Sequence, residues 1–139
     1  MILLDTNILS ELLRPAPTPA IGQWMARLGD TPLATTAIAI SEIAYGLQRL
    51  EDGRRKDELI VRFDQFIAPG GELTILPFDE DAALVCGQYR ALRERQGLHA
   101  LPSDMMIAGI AGALGTDLAT RNTKDFAGLP ITVVKPWEV

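Results

Sequence analysis

The chain has 139 residues, 47% of them hydrophobic and 22% charged, with a formal net charge of −5. That size and balance fit one globular domain over residues 1–139 with a core of its own, and argue against disorder. A single cysteine, Cys86, excludes an internal disulfide and a cysteine-based zinc site, and a single histidine, His99, excludes a histidine pair or a His-rich metal centre.

In chain order, Ile2–Leu4 reads as a short strand buried on both faces, as in parallel sheets. A helix follows from near Asn7 to just before Pro15. Pro15–Pro19 is a stiff connector, and Pro19 suits the first turn of a second helix through Leu28. After a break at Gly29–Pro32, Leu33–Thr35 is a second strand, and Thr36 caps a helix from Ala37 to about Leu50. Gly53 marks a boundary before a charged helix from Arg54 to about Ile67, closed by Pro69-Gly70-Gly71. Leu73–Leu76 is a third strand. Asp79 caps a long helix ending near Gly97, and Ser103 caps another through Leu114, stopped by Gly115. Leu118–Thr120 and Ile131–Val134 are the last two strands.

Short strands alternating with helices imply an α/β fold, a central, mainly parallel sheet of about five strands between helical layers. No apolar run reaches the roughly 20 residues of a membrane span, and no basic segment precedes the first apolar stretch. A cytoplasmic protein is the expectation, and a lone thiol agrees with it. The net negative charge opposes binding to nucleic acid, unless acids hold divalent cations that offset it locally.

In open parallel sheets, sites gather beyond the carboxyl ends of the strands. Asp5 stands just past the first strand, Glu42 lies on the helix after the second, and Asn122 and Asp125 follow the fourth. Asp104 opens a helix leading into that fourth strand, so it belongs at the same edge if the helix descends beside the sheet. Crowded carboxylates repel one another, and a hard cation such as Mg²⁺ or Mn²⁺, which prefers oxygen ligands, reverses that penalty. Such an ion polarises phosphate and acidifies water, which suits phosphodiester hydrolysis.

Each acid also has a plainer reading. Asp5 could begin a turn or cap a helix. Asp104 on local pattern alone serves a helix dipole. Glu42, within the apolar stretch TTAIAISEIAYGL, has little polar face nearby, and buried unpaired acids are rare. Asp79, Glu80 and Asp81 read as a capping cluster, Asp117 as a surface turn and Cys86 as core. The basic groups Arg49, Arg54, Arg55, Lys56 and Arg62, and Arg90, Arg93 and Arg95, read as solvated helix faces. Arg121 and Lys124 are the better candidates for phosphate, since they share a loop with Asn122 and Asp125.

The segments MILLDTNIL, SEIAYGL, PSDMMIAGIA and LATRNTKDF, in that order and over this length, resemble PIN-domain nucleases. More narrowly they resemble VapC-type toxins of bacterial toxin–antitoxin pairs, including the FitB-like branch. The resemblance implies a PIN-like α/β/α sandwich and a Mg²⁺- or Mn²⁺-dependent endoribonuclease holding one or two ions. It carries over Asp5, Glu42 and Asp104 as the principal acids. PIN proteins often have an acid where this chain has Asn122, so Asp125 is expected to complete the metal-binding set, with Asn122 as a helper. Thr6, Asn7, Ser41 and Thr120 resemble positions that support the acids or touch substrate. The implied partners are an RNA substrate, a second copy of the chain, and a VapB- or FitA-like antitoxin that covers the pocket, with operator DNA reached only through it. The competing reading is a PIN-fold binding module acting chiefly with a DNA-binding antitoxin in transcriptional control.

Overall fold

In a computed structural model, which describes residues 1–137, the five strands and six helices expected from the sequence are present, with small shifts at their ends. The last two positions of the expected domain, Glu138 and Val139, lie outside the described residues. The strands are β1 (Ile2–Leu4), β2 (Leu33–Thr36), β3 (Leu73–Leu76), β4 (Asp117–Ala119) and β5 (Val133–Val134). The helices are α1 (Thr6–Leu13), α2 (Pro19–Leu28), α3 (Ala37–Gln48), α4 (Arg54–Phe66), α5 (Glu80–Arg95) and α6 (Pro102–Leu114). A 3-10 turn at Thr123–Asp125, not foreseen from the sequence, follows β4.

The sheet order is β3-β2-β1-β4-β5, and each pairing is parallel. Ile2 lies opposite both Leu33 and Asp117, so β1, β2 and β4 end at one edge. Asp5, Thr36 and Thr120 are the residues at or just beyond those ends, and the Asp5 amide donates to the Ala119 carbonyl at 2.9 Å.

Side-chain alternation divides the core. Leu3, Ala34 and Leu118 face α5 and α6, packing with Met105, Ile107, Ala108, Ile110 and Phe126. Leu4 and Ala119 face the opposite way, onto Ile8, Ile21 and Trp24 of α1 and α2. A third cluster, Leu9, Leu13, Ile43 and Phe63, joins α1, α3 and α4. The sheet is thus covered on both faces, the condition under which parallel sheets form. Among the described residues no helix is long and apolar enough to cross a membrane.

Several local expectations change. Thr36 and Asp79 cap their helices as expected, through Ala39 N at 3.0 Å and Ala82 N at 3.0 Å. Ser103 does not cap α6. Leu101 takes that position with Pro102 at the first turn, because proline's missing N–H costs nothing there. Strand β4 begins and ends one position before the expected Leu118–Thr120, because register with β1 places Asp117 opposite Ile2. Asp117 is therefore half-buried in a strand, not a surface turn. Strand β5 keeps only Val133 and Val134 of the expected Ile131–Val134.

The small residues of the run GIAGALG serve a close approach between α5 and α6. A Cβ on Gly109 would sit 2.6 Å from the Ala82 carbonyl oxygen and 2.9 Å from Cys86 Cβ.

Candidate active site

The edge beyond β1, β2 and β4 opens into a cavity of about 690 Å³, lined by Asp5, Thr6, Asn7, Ser10, Glu11, Arg14, Glu42, Arg55, Asp104, Arg121 and Asn122. Residues far apart in sequence meet there because three strands end together and α1, α3 and α6 start or pass beside those ends.

Asp5 is the best-held of the acids, only 4% exposed. Its Oδ1 accepts from the Thr6 amide at 2.8 Å, so it also caps α1. Its Oδ2 accepts from the Thr120 hydroxyl at 2.7 Å and from Asn7 Nδ2 at 3.1 Å. Burial pushes the Asp5 carboxyl above the usual range, the Thr120 and Thr6 bonds pull it back, and the charge of Glu42 raises it again. Capping and site geometry are here the same contact: helix-terminal donors orient the carboxylate.

Thr120 is fully buried and joins the strand ends. Besides donating to Asp5, its hydroxyl accepts from the Asn122 amide at 3.1 Å and from Asn7 Nδ2 at 3.3 Å. Asn7 in turn accepts from the Arg121 amide at 3.0 Å through Oδ1. The loop after β4 is therefore tied to the start of α1. The Arg121 guanidinium lies 5.0 Å above the Trp137 ring, a cation–π contact that fixes its direction.

Glu42 differs from the sequence reading. It is exposed, not buried in the apolar face of α3, and it reaches the cavity through a hydrogen bond from the Thr6 hydroxyl to its Oε1 at 2.8 Å. Asp104, half-buried at the start of α6, is pushed up to about 6 by burial and by the charges of Asp5, Asp125 and Glu42, with Arg93 pulling the other way.

Asp125 is thus near enough to act on Asp104 electrostatically, yet it does not line the cavity, whereas Asn122 does. Ser41 is exposed and Lys124 is exposed; neither lines the cavity. The basic wall comes instead from Arg121 with Arg14 and Arg55. Arg55 had read as part of a solvated helix face, and Arg14, Ser10 and Glu11 had carried no signal at all. Glu11 is buried, accepts from the Thr18 amide at 2.9 Å and from Arg14 at 3.3 Å, and is held below its usual pKa chiefly by the Thr18 bond. The sequence offered no clue to Glu11, whose burial is set by tertiary packing.

The donor chemistry fits a hard divalent cation. Asp5, Glu42 and Asp104 offer oxygen alone, neighbouring acids raise the proton affinity of Asp5 and Asp104, and none of the three forms an ion pair among the described residues. No three His, Cys, Asp or Glu side chains among those residues are gathered tightly enough to cage an ion by themselves. A cation held here would therefore keep waters in part of its shell, as Mg²⁺ usually does.

A parallel α/β/α sandwich with such an acidic pocket at the strand ends agrees with the comparisons to known proteins. The PIN domain family matches residues 2–130. Toxin FitB of Neisseria gonorrhoeae is 36% identical over 137 residues, covering 99% of each chain. VapC ribonuclease Y4jK of Sinorhizobium fredii is 32% identical over 138 residues, again 99% of each. The solved structure of FitAB bound to an IR36 DNA fragment superposes with a TM-score of 0.89 at 35% identity, covering 100% of this chain and 97% of that one. The chain belongs to the PIN-domain family, within its FitB/VapC branch of toxin ribonucleases from toxin–antitoxin systems.

Proposed function

We propose that the chain is a Mg²⁺- or Mn²⁺-dependent endoribonuclease acting in the cytoplasm as the toxin of a type II toxin–antitoxin pair. One observation carries the reading. Asp5, Glu42 and Asp104 line one cavity, and burial together with the neighbouring acids pushes Asp104 up to about 6, with no ion pair to it among the described residues.

In this reading Asp5, Glu42 and Asp104 hold the ion or ions, with Asp125 or Asn122 completing the set. When bound, the cation supplies polarisation of a phosphoryl oxygen and a more acidic water. The chain supplies the rest. Thr120, Asn7 and the Thr6 amide hold the Asp5 carboxylate in one orientation, and the Thr6 hydroxyl turns Glu42 toward it. Arg14, Arg55 and Arg121 give the approaching phosphates positive partners around an otherwise acidic floor. Positioning of this kind reduces the entropic part of the barrier.

The antitoxin covers the pocket and presents a basic side chain to the acids, so it binds even the metal-free chain. The RNA, the metal and a second copy of the chain are parts of this proposal. The test is RNA cleavage by purified Asp5→Asn, Glu42→Gln and Asp104→Asn variants in Mg²⁺ and Mn²⁺, with circular dichroism to establish folding. Loss of cleavage in folded protein is expected; undiminished cleavage by all three variants overturns the reading.

The DNA-bound FitAB structure favours one alternative, a binding module in transcriptional control. Expression without the antitoxin separates the two. Growth arrest that depends on Asp5 belongs to the nuclease, and unaffected growth to the module.

A further inference from the structure

Arg93 sits on α5, which contributes nothing to the cavity lining, yet it is only 3% exposed. It had read as part of a solvated cluster with Arg90 and Arg95. Burying a guanidinium is costly unless it is paired or hydrogen-bonded. Among the described residues no ion pair includes it. Its partners are main-chain carbonyls. Nε donates to His99 O at 2.6 Å, and Nη1 donates to Ala127 O at 2.5 Å and to Lys124 O at 3.4 Å.

Those carbonyls belong to two segments that matter to the acids. His99 lies in the lead-in to α6, whose first turn carries Asp104. Lys124 and Ala127 flank Asp125 on the loop that also carries Asn122. We propose that Arg93 is a positioning residue, whose rigid fork ties the Asn122–Asp125 turn to the approach of α6 and so sets the spacing of the acids on either side.

Packing alone does not require an arginine. The apolar side of the same loop is already anchored by Phe126, 1% exposed, and Leu129, 8% exposed. Gln96, one turn further along the chain, adds a bond from Nε2 to Gly128 O at 3.3 Å, so the end of α5 clasps this loop at two points. A planar guanidinium reaches acceptors on two segments at once, which a lysine's compact ammonium does not.

The proposal rests on the acidic pocket being the reaction site, and its test separates the two claims. Amide hydrogen exchange is measured on the full chain and on Arg93→Lys, with RNA cleavage in parallel. In folded Arg93→Lys, exchange rises by about tenfold at Lys124–Ala127 and His99–Asp104 and stays unchanged in β1 and β2. Turnover falls by about 10- to 100-fold with KM within about twofold, as when a partner behind a ligand is lost. In Arg93→Ala, millimolar guanidinium restores part of both. Unchanged local exchange with unchanged turnover in Arg93→Lys, or a uniform rise in exchange across all strands, overturns the proposal. If Arg93→Ala does not fold, the lysine variant decides alone. If the unaltered chain cleaves no RNA with either metal, the nuclease reading fails while the exchange result still decides the clamp.

Discussion

The Thr6 hydroxyl donates to Glu42 Oε1 at 2.8 Å while the Thr6 amide donates to Asp5 Oδ1 at 2.8 Å. One residue thereby orients two carboxylates, one just past the end of β1 and one on α3, through its main chain on one side and its side chain on the other.

Thr6→Val keeps the amide contact and the β-branched shape but removes the bond to Glu42. RNA turnover is expected to fall by about 10- to 100-fold. Unfolding free energy in urea should change by less than about 1 kcal/mol, since the bond is exposed and water replaces it. Unchanged turnover would show that Glu42 needs no orientation.

Thr120→Val tests the buried node. The substitution is close in shape but leaves Asp5 Oδ2, Asn7 Nδ2 and the Asn122 amide without their shared hydroxyl. A cost of about 1–3 kcal/mol in urea unfolding is expected from the unsatisfied groups. Thr120→Ser should recover most of it.

The acids carry a pH signature. Asp104 moves from 3.8 when unfolded to about 6 when folded, so the native state holds the proton more tightly. Its contribution to stability is fully present below 3.8 and is lost as pH rises through about 6; Asp5, also raised, acts in the same direction. Metal-free Asp104→Asn should therefore unfold at higher urea than the unaltered chain above pH 6, and the gain should vanish below pH 3.8. Mg²⁺ binding, followed by calorimetry, should weaken as pH falls through about 6. A pH-independent gain would remove the electrostatic account.

Gly109→Ala tests the α5–α6 contact. Its Cβ would meet the Ala82 carbonyl at 2.6 Å, and a main-chain oxygen within a helix cannot move aside cheaply. Destabilisation of about 1–3 kcal/mol is expected. Gly87→Ala, on α5 with nothing within 4 Å of the added atom, should instead stabilise by about 0.5–1 kcal/mol. The two variants are compared by thermal unfolding.

Much of this was legible beforehand. Thr36 and Asp79 announce helix starts because a capping side chain bonds an amide three residues on, which is a local event. The caps fail as guides where another local rule competes, as Pro102 displaces Ser103 at α6. Glu42 and Arg93 show the harder case. Glu42 looked buried because its sequence neighbours are apolar, yet the turn of α3 leaves it exposed on the cavity side. Arg93 looked solvated because RALRER is charged, yet two loops fold over it.

Strand and helix identities, their order, and the placement of Asp5 just past a strand follow from the sequence, because periodicity and capping act between residues a few positions apart. That Asp104 feels Asp5, Glu42 and Asp125, that Thr120 bonds Asp5, and that Arg93 closes on the Lys124 and Ala127 carbonyls were decided by tertiary structure. Charge coupling and hydrogen bonding depend on distance through space. Here that distance is set by which strands pair in parallel and end at one edge.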